Sequence, residues 1–260
     1  MTSSPAPRLT PIFFPRSHPP GRSHGEPSLA IAATGIEMIF NPEVEPVPVL
    51  KGISLTVPPG KIQMVIGPSG VGKTTLLLIL AGLLTPTAGQ VTLLGQEITQ
   101  MSRSHLTQFR RDHLGFLPEE SNLLRALTAV ENIEVTLNLK GIHGQAAQVQ
   151  ARQLLAAVGL NRSADRLSCE LSGGQQQRVA IARALAGQPD LIIADEPTSA
   201  LDAENGRIVL DLLRTLAQEH KSTIVIATHD WRIQPFADQI AYLNDGVLLP
   251  TYPSERVTIP

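Results

Sequence analysis

The sequence has one cysteine, Cys169, which rules out an internal disulfide framework and suits a reducing compartment. Aromatic residues make up only 3%, so any that falls within a motif stands out. Neither sign of charge dominates: 21 Lys+Arg against 23 Asp+Glu give −2 at pH 7. That balance argues against a large basic surface, and no nucleic-acid partner is expected. Long apolar runs are missing too. The longest, "LLLILAGLL" from Leu76 to Leu84, is broken by Gly82, whereas a bilayer span needs ~20 apolar residues. Nothing here is expected to cross a membrane, so any transport pathway would belong to another chain. No internal repeat is present. What remains is a 260-residue chain, 42% hydrophobic and 17% charged, the make-up of a soluble globular protein with one substantial core and room for an inserted subdomain.

Residues 1–27, "MTSSPAPRLTPIFFPRSHPPGRSHGEP", contain seven prolines and no acidic residue before Glu26. Lacking periodicity, they read as a disordered tail. A targeting peptide is the other reading, because the stretch is acid-poor with Arg and Ser, but its prolines would spoil an amphipathic helix. From Ser28 to about Thr56 the pattern is β-like, with turn signals in "NPEVEPVP" and the short run "GISLTV". "KIQMVI" (61–66) reads as a buried strand running into "GPSGVGKTT", after which "TLLLILAGLL" continues as a helix buried nearly all round. "GQVTLLG" (89–95) returns as a short strand.

Residues 100–188 carry helical rather than strand character. In "GQAAQVQARQLLAAVGL" (144–160), Ala147, Ala151, Leu154, Leu155 and Val158 recur at helical spacing, and Gly159 supplies the stop. "DLIIADEP" (190–197) and "STIVIATHD" (222–230) are buried strands on either side of the helix "NGRIVLDLLRTLAQEH" (205–220). Strands alternate with helices at both ends, and a helical insertion divides them. The fold class is α/β, a parallel core with an α-helical arm.

Two stretches carry phosphate chemistry. Gly67-Pro68-Ser69-Gly70-Val71-Gly72-Lys73-Thr74, followed by Thr75, fits G-x-x-x-x-G-K-[ST] in its required strand–turn–helix setting. Its glycines let successive N–H groups point inward at phosphate oxygens, and the following helix adds the positive end of its dipole. Lys73 would bind the β- and γ-phosphates, and Thr74 would place its hydroxyl on Mg²⁺. At the end of "LIIADE", Asp195 would hold Mg²⁺ through water and Glu196 could orient or deprotonate an attacking water. Carboxylates at the end of a buried parallel strand stand where α/β ligands collect, so a mere solvated loop is the weaker reading.

A third stretch is more specific. "LSGGQQQR" (171–178), with "IARAL" behind it and the other two motifs on either side, resembles the signature of ATP-binding-cassette (ABC) proteins over residues 34–249. The resemblance implies a P-loop NTPase parallel-sheet core with an N-terminal antiparallel β subdomain and an inserted α-helical subdomain. The corresponding ranges are an ATP-binding domain over 28–250, with its core at 28–99 and 189–250, the helical subdomain at 100–188, and a C-terminal tail at 251–260. Leu171, Ser172, Gly173, Gly174 and Gln175 open a helix that offers a hydroxyl and bare amides to an anion. In the family that anion is the γ-phosphate held by a second subunit, so a homodimer of cassettes sandwiching two ATP molecules is implied. Phe40, 27 residues before Gly67, falls where the family places an aromatic against adenine; ordinary core packing is its other reading. By the same resemblance Asp202, in "SALD", is the acidic member of an inter-subunit loop, and His229 contacts the γ-phosphate. The other six histidines show no metal-ligand spacing.

"GFLPEESNLLRALTAVEN" (115–132) departs from the family pattern. Glu119 stands where the family has a glutamine, and no glutamine occurs between Gln108 and Gln145. Glutamate keeps an oxygen suited to Mg²⁺ but loses the amide donor and adds negative charge near Asp195 and Glu196. Three acids in one place would raise a pKa or slow closure; alternatively, Glu119 hangs clear of the site. The expectation is a working ATPase with altered metal or coupling behaviour.

"NLLRALTAVENI", "EPTSALD" and "THDWRIQPFADQIAYLNDG" resemble the subfamily of lipoprotein-release, macrolide-export and DevA-type exporters. That resemblance implies a separate FtsX-like permease, a periplasmic adaptor, a peripheral place on the cytoplasmic face of the inner membrane, and lipid, lipoprotein or amphiphilic cargo. A soluble cassette ATPase driving assembly or remodelling, or a regulatory module that binds ATP without turnover, are the alternatives.

Overall fold

The computed structural model describes residues 29–41 and 43–249. The tails expected at 1–27 and 251–260 lie outside the described residues. Strand β1 (Ile31–Phe40) pairs with β2 (Val47–Val57), after which β3 (Ile62–Ile66) leads through the Gly-rich turn into helix α1 (Lys73–Leu80). Strands β4 (Ala88–Leu93) and β5 (Gln96–Glu97) precede α2 (Arg103–His113), β6 (Leu114–Leu117) and the arm helices α3 (Ala129–Leu139) and α4 (Gly144–Ala157). The signature helix α5 (Gly173–Ala184) then enters β7 (Leu191–Asp195), followed by α6 (Ala203–Glu219), β8 (Thr223–Thr228), β9 (Gln239–Asn244) and β10 (Val247–Leu249).

The strands form two sheets. One is antiparallel, in the order β2-β1-β4-β5; the other has six strands in the order β10-β9-β3-β8-β7-β6. Strands β9, β3, β8, β7 and β6 run parallel, and β10 returns antiparallel on the edge. Every residue of β3, β7 and β8 is buried, which explains their unbroken apolar runs: a parallel sheet is covered on both faces. Alternate residues serve different cores. Val65, Leu191, Ile193 and Val225 join α1 and the antiparallel sheet, whereas Met64, Ile192, Ala194 and Ile224 join α6 and the arm helices. Full burial of an Ile or Leu contributes roughly 1.5–3 kcal/mol, so the strand ends that carry the polar residues rest on a platform fixed from both sides.

The span 100–188 is not helical throughout. Leu114–Leu117 is a strand on the edge of the parallel sheet, in register with β7 from Leu114 opposite Leu191 to Leu117 opposite Ala194. Four residues are too few to show a period, and one of them is glycine. Gly115 is required there because a methyl group would run into the carbonyl oxygen of Ala184 at the end of α5. The strand therefore anchors the start of the Glu119 stretch to the core rather than to the arm.

Candidate active site

The Gly-rich turn joins β3 to α1 at the carboxyl end of the parallel sheet. Gly67 is confined by the carbonyl oxygen of Leu243, which a methyl group would strike. Gly72 has φ 101°, a left-handed conformation that caps α1 and is open to glycine at little cost. The residues between them, Pro68, Ser69 and Gly70, are exposed, with Val71 half-buried. Lys73 is 7% exposed, and its Nζ donates to the carbonyls of Gly67 at 2.8 Å and Pro68 at 2.9 Å. The ammonium is thus folded back onto its own turn.

Next to it, Thr74 Oγ1 donates to Asp195 Oδ2 at 2.6 Å. Asp195 ends β7 and is 2% exposed. Burial is the main reason its carboxyl lies above the usual range; the Thr74 hydrogen bond opposes this, the charges of Glu119 and Glu196 add to it, and Lys73 lowers it. A hydroxyl and a carboxylate oxygen form a hard donor set, the chemistry that suits Mg²⁺. Among the described residues no three His, Cys, Asp or Glu side chains gather as a metal site.

Glu196 occupies a left-handed conformation, φ 48°, which costs a non-glycine residue of the order of 1–2 kcal/mol. The fold holds it there. Its N–H donates to Ala227 O at 2.9 Å, Ser199 Oγ donates to its carbonyl at 3.1 Å, and its carboxylate accepts from Thr228 Oγ1 at 2.9 Å and His229 N–H at 3.0 Å. His229 Nδ1 lies 2.7 Å from Glu196 Oε1. An ionised carboxylate only accepts, so the ring proton belongs on Nδ1 and the Nε2 lone pair is free to accept. The His229 side chain is 59% exposed against 9% for Glu196. Thr228 carries no motif of its own; its place beside a strand-end histidine is the only sequence signal for its role under Glu196.

The structure gathers Gly67–Thr75, Asp195, Glu196 and His229 at one edge. Glu119 stands there too, exposed, two residues beyond β6, and acts on Asp195 through its charge. It makes no hydrogen bond to Thr74 or Asp195. Leu171–Gln175 and Asp202 form a separate group. Ser172 caps α5: its hydroxyl accepts from Gln175 N–H at 3.3 Å, while its own N–H donates to Gln175 Oε1 at 3.0 Å. Ser172 and Gly173 are exposed, and Leu171 is buried beneath them. Asp202 caps α6, accepting from Asn205 N–H at 2.9 Å and Asn205 Nδ2 at 2.7 Å; these bonds hold its carboxyl below the usual range, with a smaller effect from Arg178. No hydrogen bond joins this group to the Gly-rich turn among the described residues. Phe40, at the end of β1, is 38% exposed.

Two tethers hold the stretch that follows Glu119, one from the signature helix and one from α3. Arg183 on α5 donates to the carbonyls of Asn122 at 2.7 Å and Ser121 at 2.8 Å. Asn132, 1% exposed, accepts from Leu124 N–H at 2.8 Å and donates to Ser168 Oγ at 2.7 Å.

A family model described as "ABC transporter" matches residues 50–199. The ABC transporter ATP-binding protein YtrE of Bacillus subtilis is 44% identical over 202 residues, covering 78% of this chain and 87% of the relative. The lipoprotein-releasing system ATP-binding protein LolD of Pseudoalteromonas translucida is 39% identical over 220 residues, covering 85% and 95%. A dimeric post-hydrolysis structure of the ATP-binding cassette MJ0796, bound to ADP and Pi, superposes with a TM-score of 0.81 at 37% identity, covering 84% of this chain and 96% of that one.

Proposed function

The chain belongs to the ABC transporter family and is an ATP-binding, ATP-hydrolysing cassette; from that premise we propose that it powers lipid, lipoprotein or amphiphile export through a separate FtsX-like permease, with a periplasmic adaptor. The observation that carries the cargo class is likeness to lipoprotein-releasing ATPases over nearly their full length, 94–95% in two of them. No helix among the described residues is long and apolar enough to cross a membrane; in this reading the chain is a peripheral subunit on the cytoplasmic face of the inner membrane, brought there by its permease.

In this reading the amides of Gly67–Thr75 and the Lys73 ammonium bind the phosphates, with Lys73 leaving its two carbonyls to do so. Phe40 lies against adenine. Thr74 and Asp195 would hold Mg²⁺, which would neutralise charge developing on the phosphate oxygens. Glu196 accepts the proton of the attacking water, and His229 orients that water and the terminal phosphate through its Nε2 side. Ser172 and Gly173 of a second copy close the site from outside, so each copy supplies two half-sites. The separation of the signature group from the Gly-rich turn within one chain supports that arrangement.

Light scattering of the Glu196→Gln protein in Mg-ATP is the test: a dimer is expected with ATP and a monomer without it. A protein that stays monomeric, alone and with its permease, overturns the two-copy mechanism. Co-purification from membranes with a four-span permease checks the export half of the reading.

A further inference from the structure

The register of the edge strands puts Glu119 in an unusual position. The pairing of β6 with β7 ends at Leu117 opposite Ala194, so Glu119 leaves the sheet two residues on, beside the end of β7, where its charge acts on Asp195. The side chain of Glu119 is exposed and has no hydrogen bond or ion pair among the described residues. The other two carboxylates are occupied, Asp195 by Thr74 and Glu196 by Thr228 and His229. The nearby ammonium of Lys73 is turned to carbonyl oxygens of its own turn. Glu119 is therefore a carboxylate with no partner of its own beside the phosphate site, bonded to neither Thr74 nor Asp195 but felt by Asp195 through its charge.

We propose that Glu119 is a specificity-determining residue that makes this cassette discriminate against nucleotide lacking a divalent cation. This rests on the nucleotide-binding role assigned above to the Gly-rich turn. Bare ATP carries about two more negative charges than its Mg²⁺ complex, and those charges sit on the phosphates that face the carboxyl edge of the sheet. A fixed carboxylate at that edge repels the bare form and attracts the cation of the complexed form. A glutamine there would do neither, because a neutral amide has no long-range field. The gap is open to water, so the effect is screened by salt. Pairwise Coulomb energies at an effective dielectric of about 20–80 correspond to roughly tenfold in the ratio of the two affinities.

The experiment is calorimetric titration of the whole chain with a non-hydrolysable ATP analogue, once with excess Mg²⁺ and once with EDTA. The ratio of the two Kd values is compared among native protein, Glu119→Gln and Glu119→Asp. The expected result is a cation dependence about tenfold weaker in Glu119→Gln, restored to within about twofold in Glu119→Asp, with the difference shrinking at high salt. An unchanged ratio in Glu119→Gln overturns the proposal, as does a Glu119→Asp protein that behaves like the glutamine variant. If the native chain binds no nucleotide in Mg²⁺, or binds it equally well as Lys73→Ala, the reading of the Gly-rich turn itself fails and takes the proposal with it.

Discussion

At the amino ends of the parallel strands, polar side chains join one strand to the next. Asp238, before β9, accepts from Ile62 N–H at 2.9 Å and from Lys61 Nζ at 3.3 Å. Thr223 Oγ1 accepts from Gly60 N–H at 3.0 Å, Ser222 Oγ donates to Pro189 O at 2.8 Å, and His113 Nδ1 lies 2.8 Å from Asp190. At the carboxyl ends the bonds are of another kind. Lys73 holds carbonyls of its own turn, Thr74 and Asp195 hold one another, and Glu119 holds nothing. The first set fixes strands and is complete in itself. In the function proposed above, the second keeps charged groups in place until a ligand offers better partners, at the edge of an open α/β sheet where ligands collect. Substitutions at one end should therefore read out in turnover and at the other in stability.

The largest expected separation is at Glu196. Removing a general base lowers turnover by about 10²–10⁴-fold, and Glu196→Gln retains an oxygen to accept from Thr228 or His229. Steady-state ATP hydrolysis should fall by that factor while the thermal midpoint stays within a few degrees. A parallel collapse of the midpoint would mean that the carboxylate is a structural anchor, and the contrast between the two ends would be lost.

That contrast was partly legible before the structure. The Gly-rich turn, the acidic strand end and the signature are contiguous, and contiguous chemistry survives in sequence. The two buried faces of β3, β7 and β8 also announced themselves as apolar runs. What stayed hidden depends on distant partners. Nothing in "LGFL" betrays a strand until Ala184 O is seen against Gly115. The left-handed conformation of Glu196, the Thr228 hydroxyl beneath it and the Arg183 tether to Ser121 and Asn122 all join residues from separate elements. Strands β9 and β10 carry a local signal of their own, since Asp245-Gly246 is a hairpin turn between them, but their apolar residues are too few and too exposed to mark them as core strands.

Near the amino end two side chains among the described residues bury polar atoms without partners, and one of them gives the second prediction. Lys140, where α3 ends, lays its stem over Gly187 and buries its Nζ with no hydrogen-bond partner; both polar atoms of the Gln188 side chain are likewise buried and unpartnered. Desolvation lowers the Lys140 pKa from 10.5 to about 8, against the pull of Asp112 and Asp190. The folded state thus binds this proton less well than the unfolded state does. The resulting penalty is complete below pH about 8 and disappears as pH rises towards 10.5. Its ceiling is about 3 kcal/mol. Lys140→Met should stabilise the protein at pH 7.5, by urea unfolding, and the gain over native should shrink by pH 10. A pH-independent difference would show that packing rather than charge is responsible.

The smallest effect is expected at Asp238, and it isolates what an amino-end bond does. The carboxylate is 40% exposed and its Lys61 partner 50%, so the ion pair itself is worth at most about 1 kcal/mol and is screened by salt. The bond from Ile62 N–H is different in kind, because that amide starts a fully buried strand and needs an acceptor. Asp238→Asn keeps an oxygen for it and loses only the ion pair, so it should cost a few tenths of a kcal/mol, less at high salt. Asp238→Ala strips the acceptor and should cost about 1–3 kcal/mol. Both should hydrolyse ATP at the native rate, since neither reaches the carboxyl edge. A fall in turnover with Asp238→Asn would mean that strand β3 transmits strain along its five residues to Gly67, and the two ends of the sheet would have to be treated as one device.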